Sequence, residues 1–266
     1  MSRWSERQQA LLAELGVVGW WPDRPAAEPP SIVVPAKPVV EPPVPAAVPT
    51  LPPPPAQPPA PGGVASMDWA ELRTAVQGCR ACGLCEKRTQ TVFGIGHAQA
   101  HWMIVGEAPG EQEDAQGEPF VGKAGQLLDR MLAAAGLTRQ DVAGADAAEQ
   151  AARQVYIANV LKCRPPGNRN PEPQEVLRCE PYLRRQIALV QPKLILAMGR
   201  FAVQSLLGTP EAIGRLRGRV HRPAGLPPVI VTYHPAYLLR NPVDKAKAWD
   251  DLCLAARALA AAEADS

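Results

Sequence analysis

The chain has 266 residues, 46% hydrophobic and 20% charged, with a formal net charge of +2. That is the profile of a globular protein, neither an acidic disordered chain nor one made of apolar spans. No run of about 18 apolar residues occurs, so no membrane span is expected.

The opening MSRWSERQQALLAELG carries charges where a signal peptide needs an apolar core, so a cytoplasmic location is expected. Ser5 to Leu15 has the pattern of a short amphipathic helix, followed by Trp20 and Trp21. Residues 1–21 are thus a terminal peptide, either a frayed helix or a docking peptide for a protein partner. Seventeen of the 31 prolines lie between Pro22 and Pro61. Repeated proline blocks helices and sheet ladders and favours extended chain, so residues 22–66 read as a disordered tether and 67–266 as the globular domain. Asp68 is placed to cap a helix ending near Gly78.

Four short apolar runs follow with the character of buried strands: His101 to Glu107, Val155 to Leu161, Leu194 to Gly199 and Val229 to His234. Helical patterns cover Gly122 to Ala135, Pro173 to Val190, Arg200 to Leu207 and Asp244 to Ala262. The alternation predicts an α/β fold, a three-layer α/β/α sandwich around a mainly parallel four-stranded sheet. In such a sheet the strand ends share one edge, where open α/β folds hold ligands. Glu107, Asn159 and His234 are therefore expected to converge there.

Cys79, Cys82 and Cys85 form CxxCxxC, Cys163 and Cys179 flank the stretch KCRPPGNRNPEPQEVLRC, and Cys253 stands alone in the last helical pattern as a packing residue. Zinc and an iron–sulfur cluster both accept four thiolates. Zinc modules favour two tight pairs, and a second pair separated by 15 residues fits that poorly, so one structural cluster is the preferred reading. It would clamp both ends of a loop that is otherwise proline- and asparagine-rich. From Lys162 to Arg222 there are twelve Lys or Arg against four Asp or Glu, a footprint suited either to a polyanion or to a solvated face.

The motifs GEAPGEQED, PFVGKAGQLLDRML, NVLKCRPPGNRNP and HPAYLLRNP, in that order and with paired cysteines upstream, resemble the family 4 uracil-DNA glycosylases, bacterial and archaeal enzymes of the uracil-DNA glycosylase superfamily. The resemblance covers about Asp68 to Ala262. It implies removal of uracil from DNA, single- or double-stranded, to leave an abasic site and start base excision repair. One structural [4Fe-4S] cluster on Cys79, Cys82, Cys163 and Cys179 is also implied, with Cys85 as a spare thiol. The segment Thr138 to Gln154 looks longer than the family requires and is expected to be a surface insertion. A monomer in the bacterial cytoplasm or nucleoid is the expectation.

Carried over by motif, Phe120 resembles the ring that stacks on uracil, Asn159 the amide that reads its edge, and His234 the donor to O2 as negative charge builds there. The backbone of Glu107, Ala108, Pro109 and Gly110 is expected to line the pocket. Ala108 stands where the best-known relatives place a water-positioning aspartate, so either Glu107 or Glu113 substitutes for it or the sugar cation forms and is trapped with little base help. Gly110 replaces the tyrosine that excludes thymine, with Glu113 a candidate for that exclusion. Lys162, Arg164, Arg169 and Arg240 are expected at DNA phosphates, and Leu238 or Leu239 in the space the base leaves. An alternative reading is a non-catalytic iron–sulfur DNA-binding accessory module. A covalent uracil trap would need a basic insertion bearing an extra histidine directly after GEAPGEQED, and no histidine occurs between Asp114 and His221.

Overall fold

Asp68 opens the first helix by accepting from the Glu71 backbone N–H while the Glu71 carboxylate accepts from its own (both 2.9 Å), a reciprocal cap that satisfies two orphan donors. The computed structural model describes residues 63–264. The expected terminal helix and all but the last few residues of the tether lie outside the described residues. A 3₁₀ turn at Val64–Ser66 sits beside the long central helix.

In chain order the elements are α1 (Trp69–Gln77), β1 (Ile95–Gly96), β2 (Trp102–Gly106), α2 (Glu111–Gln116), α3 (Lys123–Ala134), α4 (Ala147–Arg153), β3 (Tyr156–Asn159), α5 (Pro173–Val190), β4 (Leu194–Met198), α6 (Arg200–Leu207), α7 (Ile213–Leu216), β5 (Val220–His221), β6 (Val229–Thr232), α8 (Pro235–Arg240) and α9 (Lys245–Ala264). The sheet order is β1-β3-β2-β4-β6-β5. The inner four strands are the four expected from sequence and are mutually parallel. The two edge strands, β1 and β5, are antiparallel additions of two residues each. They are too short to leave a periodic signal.

Every residue of the inner strands is buried, and their side chains divide by alternation. Met103, Val105, Tyr156, Ala158, Ile195, Ala197, Val229 and Val231 meet Leu183, Ile187 and Val190 of α5 and Ala202, Val203 and Leu206 of α6. Trp102, Ile104, Ile157, Leu194, Leu196, Met198 and Ile230 meet Leu128 and Leu132 of α3 and Leu252 and Ala255 of α9. These are the three layers anticipated, and the apolar runs are continuous because both faces are covered. Cys253, on α9, is partly buried.

Chain order makes β2 the first parallel strand, with β3 on one side and β4 on the other. Connections therefore leave in opposite directions from the β2/β4 boundary, the position at which open α/β sheets form a crevice beyond their carboxyl ends. The segment 138–154 leaves α3 and returns as β3 through a parallel bridge between Thr138 and Gln154. It carries α4 and is docked by Arg139, which donates to Asp129 (2.6 Å) and to the Pro119 carbonyl (2.9 Å).

Candidate active site and thiol recess

A crevice of about 980 Å3 opens at the carboxyl edge of the sheet. Glu107 to Gly110 after β2, Asn159 at the end of β3, Gly199 after β4 and His234 after β6 all border it, together with Glu113 and Phe120. The convergence expected from the strand ends is thus present.

Asn159 is 2% exposed, and its side-chain oxygen is buried without a hydrogen-bond partner. An unmet buried acceptor costs about 1–3 kcal/mol unless a donor reaches it. The lysine predicted to grip phosphate lies directly behind it. Lys162 is 2% exposed, and its ammonium donates to the Asn159 backbone carbonyl (2.7 Å) and to Gln186 Oε1 (2.6 Å). Burial pulls its pKa down to about 8. The phosphate role is corrected accordingly: Lys162 fixes the strand end that carries Asn159. The sequence signal was ambiguous because a lysine in a basic loop is usually solvated, and only a paired one is buried.

Phe120 is 5% exposed and has φ of 56°, a conformation that non-glycine residues adopt at a cost. Two contacts hold it there. Glu113 Oε1 accepts from the Val121 and Gly122 backbone N–H groups (2.9 and 3.2 Å), while Oε2 accepts from that of Gly110 (3.1 Å). Both carboxylate oxygens are therefore committed to backbone amides, one to the Phe120 loop and one to Gly110, and Glu113 shapes the crevice wall. A Cβ added at Gly110 would lie 2.7 Å from Glu113 Oε2, so the carboxylate fills the space beside that glycine. The other contact is glycine: a Cβ at Gly125 would fall 1.7 Å from the Phe120 carbonyl oxygen.

The Phe120 and His234 rings stack, with centroids 5.3 Å apart and planes at 26°. His234 caps α8: its Nδ1 accepts from the Ala236 backbone N–H at 3.1 Å. With Nδ1 an acceptor, a neutral ring carries its proton on Nε2. Burial, helped by the charge of Arg240 and opposed by Glu113, lowers its pKa to about 4. The ring is neutral at pH 7 and Nε2–H is its donor. Gly199, at φ of 90°, lets the chain pass His234, since a Cβ there would stand 3.1 Å from His234 Cβ.

Gly106 opens the GEAPG turn at the end of β2. A Cβ there would meet Asn159 Oδ1 at 2.4 Å and Phe120 Cζ at 2.6 Å. It is the floor on which amide and ring approach one another. Glu107, the next residue, has its carboxyl pKa raised by burial, with the Arg200 charge acting in the opposite sense.

Arg164 Nε donates to Asn168 Oδ1 (2.8 Å), and its guanidinium lies 3.9 Å from Glu111. Arg169 forks onto Glu175 (2.9 and 2.6 Å) and also reaches Glu172 (3.1 Å). Both arginines brace the loop, and Arg169 borders the crevice. Arg240 is exposed on α8 at the same rim. Leu238 is 0% exposed and Leu239 is 43% exposed, so the expected contact of Leu238 with DNA is withdrawn. A six-residue helix points one leucine into the core and the next outward, which two adjacent leucines in sequence cannot distinguish.

Beside the crevice, Cys79, Cys82, Cys85, Cys163 and Cys179 surround a recess walled by Val76, Leu84, Leu161 and Tyr182. Arg88 Nη1 donates to Cys163 Sγ at 3.0 Å, and the Lys162 backbone N–H donates to Cys179 Sγ at 3.2 Å. Burial pushes the Cys179 thiol up to about 12 and raises those of Cys163 and Cys82. Thiols of this kind are ionised by a bound metal, not by pH near neutrality. Among the described residues no three His, Cys, Asp or Glu side chains are grouped to hold one metal ion. A thiol-only donor set with N–H groups aimed at its sulfurs therefore fits a cluster.

Residues 93–253 match the family model described as the uracil DNA glycosylase superfamily. The chain is 44% identical over 174 residues to a type-4 uracil-DNA glycosylase of Archaeoglobus fulgidus, covering 63% of this chain and 81% of that protein. It is 42% identical over 167 residues to one from Thermotoga maritima (62% and 80%). A third, from Pyrobaculum aerophilum, is 38% identical over 195 residues (71% and 93%).

Proposed function

Since the chain belongs to the uracil DNA glycosylase superfamily and is a uracil-DNA glycosylase of DNA repair, we propose that Asn159, Phe120 and His234 carry the recognition and departure of uracil. The observation that supports this most is the buried, unpartnered Asn159 side-chain oxygen beside the stacked Phe120–His234 pair.

A base within a duplex is out of reach, so it is extruded at a cost of a few kcal/mol, offset by stacking and edge hydrogen bonds. Phe120 stacks on the pyrimidine. Asn159 Oδ1 accepts from N3–H and Nδ2 donates to O4. Cytosine presents an acceptor and a donor at those positions, so it would leave buried groups unpaired and be rejected. As the N-glycosidic bond lengthens, negative charge moves onto the leaving base, and His234 Nε2–H donates to O2. A donor of this kind is worth roughly 10²–10³ in rate. A neutral imidazole suffices, because it donates without protonating the leaving group.

Glu107 is the better-placed carboxylate to orient the attacking water, since both Glu113 oxygens already accept from backbone amides. Glu113, beside Gly110, closes the space in which a thymine methyl would sit. Water adds to the sugar carbon that uracil leaves, its proton passing to Glu107 or to solvent, and the products are an abasic site and the uracil anion, which takes up a proton from solvent.

Cys79, Cys82, Cys163 and Cys179 would hold a [4Fe-4S] cluster, which when bound ties the loop 163–179 to the segment after α1. Cys85 borders the same recess. The loop then presents Arg164, and the rim Arg240, to DNA phosphates, contacts that fix position without reading sequence. Leu239 takes the role of the apolar wedge. No helix among the described residues is long and apolar enough to cross a membrane.

The experiment is cleavage of a uracil-containing oligonucleotide, with alkali to reveal abasic sites. Asn159→Ala is expected to abolish cleavage while keeping affinity for undamaged DNA. Parallel loss of both would assign Asn159 a folding role, and an oligonucleotide left intact by cluster-replete protein would favour the accessory-module reading.

A further inference from the structure

One pyrimidine does not fill the crevice. Its volume of about 980 Å3 lies at the upper end of the range for whole drug-sized ligands. Beyond Asn159, Phe120 and the 107–110 turn, it is bordered by Ile213 of α7 and by two tyrosines that flank His234, Tyr233 and Tyr237. Their rings stack at 4.9 Å with planes at 21°.

This pair is braced from behind. The Tyr237 hydroxyl donates to Asp244 Oδ2 at 2.7 Å, and Asp244 also pairs with Lys247 at 2.8 Å. The Arg217 guanidinium lies 5.8 Å from the Tyr233 ring centroid. Arg200 and Arg240, both exposed, border the same space. Glu211 is also present, 3.9 Å from Arg219. Aromatic faces beside guanidinium groups are how proteins hold single-stranded nucleic acid: the bases stack and the cations meet the phosphates.

We infer that Tyr233 and Tyr237, with Arg200 and Arg240, form a second nucleotide subsite, which takes the base and phosphate next to the flipped uracil on the same strand. The inference rests on the glycosylase reading and extends it: the recognised unit is a dinucleotide step rather than a lone base. Because stacking is tolerant of base identity, the subsite contributes affinity without strict sequence preference. Tyr237 stands inside the motif HPAYLLRNP and Tyr233 just before it, but that the two rings stack is decided by the turn from β6 into α8.

The test uses the full chain and single-stranded oligonucleotides carrying one uracil. In each, the nucleotide on the 5′ or on the 3′ side is replaced by a base-free tetrahydrofuran spacer. For the wild type, the spacer on one flank is expected to raise KM roughly tenfold, the size of one base–aromatic stack, with kcat kept. Tyr233→Leu is expected to show the raised KM on the intact oligonucleotide and no further penalty from the spacer, and Tyr233→Phe to behave as wild type. Equal kcat for wild type and Tyr233→Leu on the spacer substrate shows that His234 is undisturbed. Absence of a penalty at either flank in the wild type overturns the subsite without recourse to any variant, as does an undiminished penalty in Tyr233→Leu. Failure of the wild type to cleave any uracil oligonucleotide overturns the glycosylase reading instead.

Discussion

Replacing Gly106 with alanine exchanges one hydrogen for a methyl group at the floor of the uracil pocket. The new Cβ would lie 2.4 Å from Asn159 Oδ1 and 2.6 and 2.8 Å from Phe120 Cζ and Cε2. Ordinary contacts at these atoms are about 3.5 Å or more, so the amide and the ring must each retreat by roughly 1 Å. Gly106 does not have a positive φ, so alanine is compatible with the backbone and the effect is one of contact alone. Overpacking of this kind costs typically 1–3 kcal/mol of stability, which a protein of ordinary stability tolerates. A displacement of about 1 Å at a reacting centre costs about 10² in rate. Single-turnover cleavage of a uracil oligonucleotide is therefore expected to slow about a hundredfold, while affinity for uracil-free DNA is unchanged. Cleavage within about threefold of wild type would refute the claim that Gly106 is small so that Asn159 and Phe120 may approach, and with it the placement of uracil between them.

His234→Ala is expected to lower kcat about 10²–10³-fold. With the folded pKa lowered to about 4, the wild-type ring stays neutral from pH 8 to about 5, so the donor itself imposes no loss of kcat in that window. Protonation favours the unfolded chain, so the contribution of this group to stability falls as pH drops below its ordinary value near 6.5 and levels off below about 4; a pH–rate profile with an inflection near 6.5 from this residue would contradict its burial. Cys163→Ala is expected to give colourless protein with weak DNA binding, read by absorbance near 400 nm and by titration with labelled DNA, whereas Cys85→Ala keeps the colour; retention of absorbance by Cys163→Ala would remove it from the ligand set. Leu238→Ala, which empties a fully buried site, is expected to cost 2–5 kcal/mol of stability. Leu239→Ala should leave thermal unfolding unchanged and reduce cleavage of duplex more than of single strands.

Much of this protein is legible from its residues in order. The apolar runs at β2, β3, β4 and β6 specify buried parallel strands because both faces of each are covered. The ends of α5 and α6 agree with the prolines, glycines and polar residues that bound them. The convergence of Glu107, Asn159 and His234 also follows from the sequence, since parallel strands must share one carboxyl edge. Alternation and chain direction are local properties, and local properties are written in the chain.

Direction and burial of single side chains are not. Lys162 sits in the most basic stretch of the chain, yet its ammonium is spent on the carbonyl of Asn159. Glu113 reads as a carboxylate aimed at water or at a thymine methyl, yet its Oε1 accepts from Val121 and Gly122 in the Phe120 loop and its Oε2 from Gly110. Leu238 and Leu239 are identical neighbours that face opposite ways. Gly106 is indispensable for what stands on either side of it in space, and nothing beside it in sequence says so. Each of these depends on which atoms of distant segments come within a few ångströms. The hydrophobic pattern selects the fold at the level of layers, and the packing of those layers then decides the partner of every polar atom.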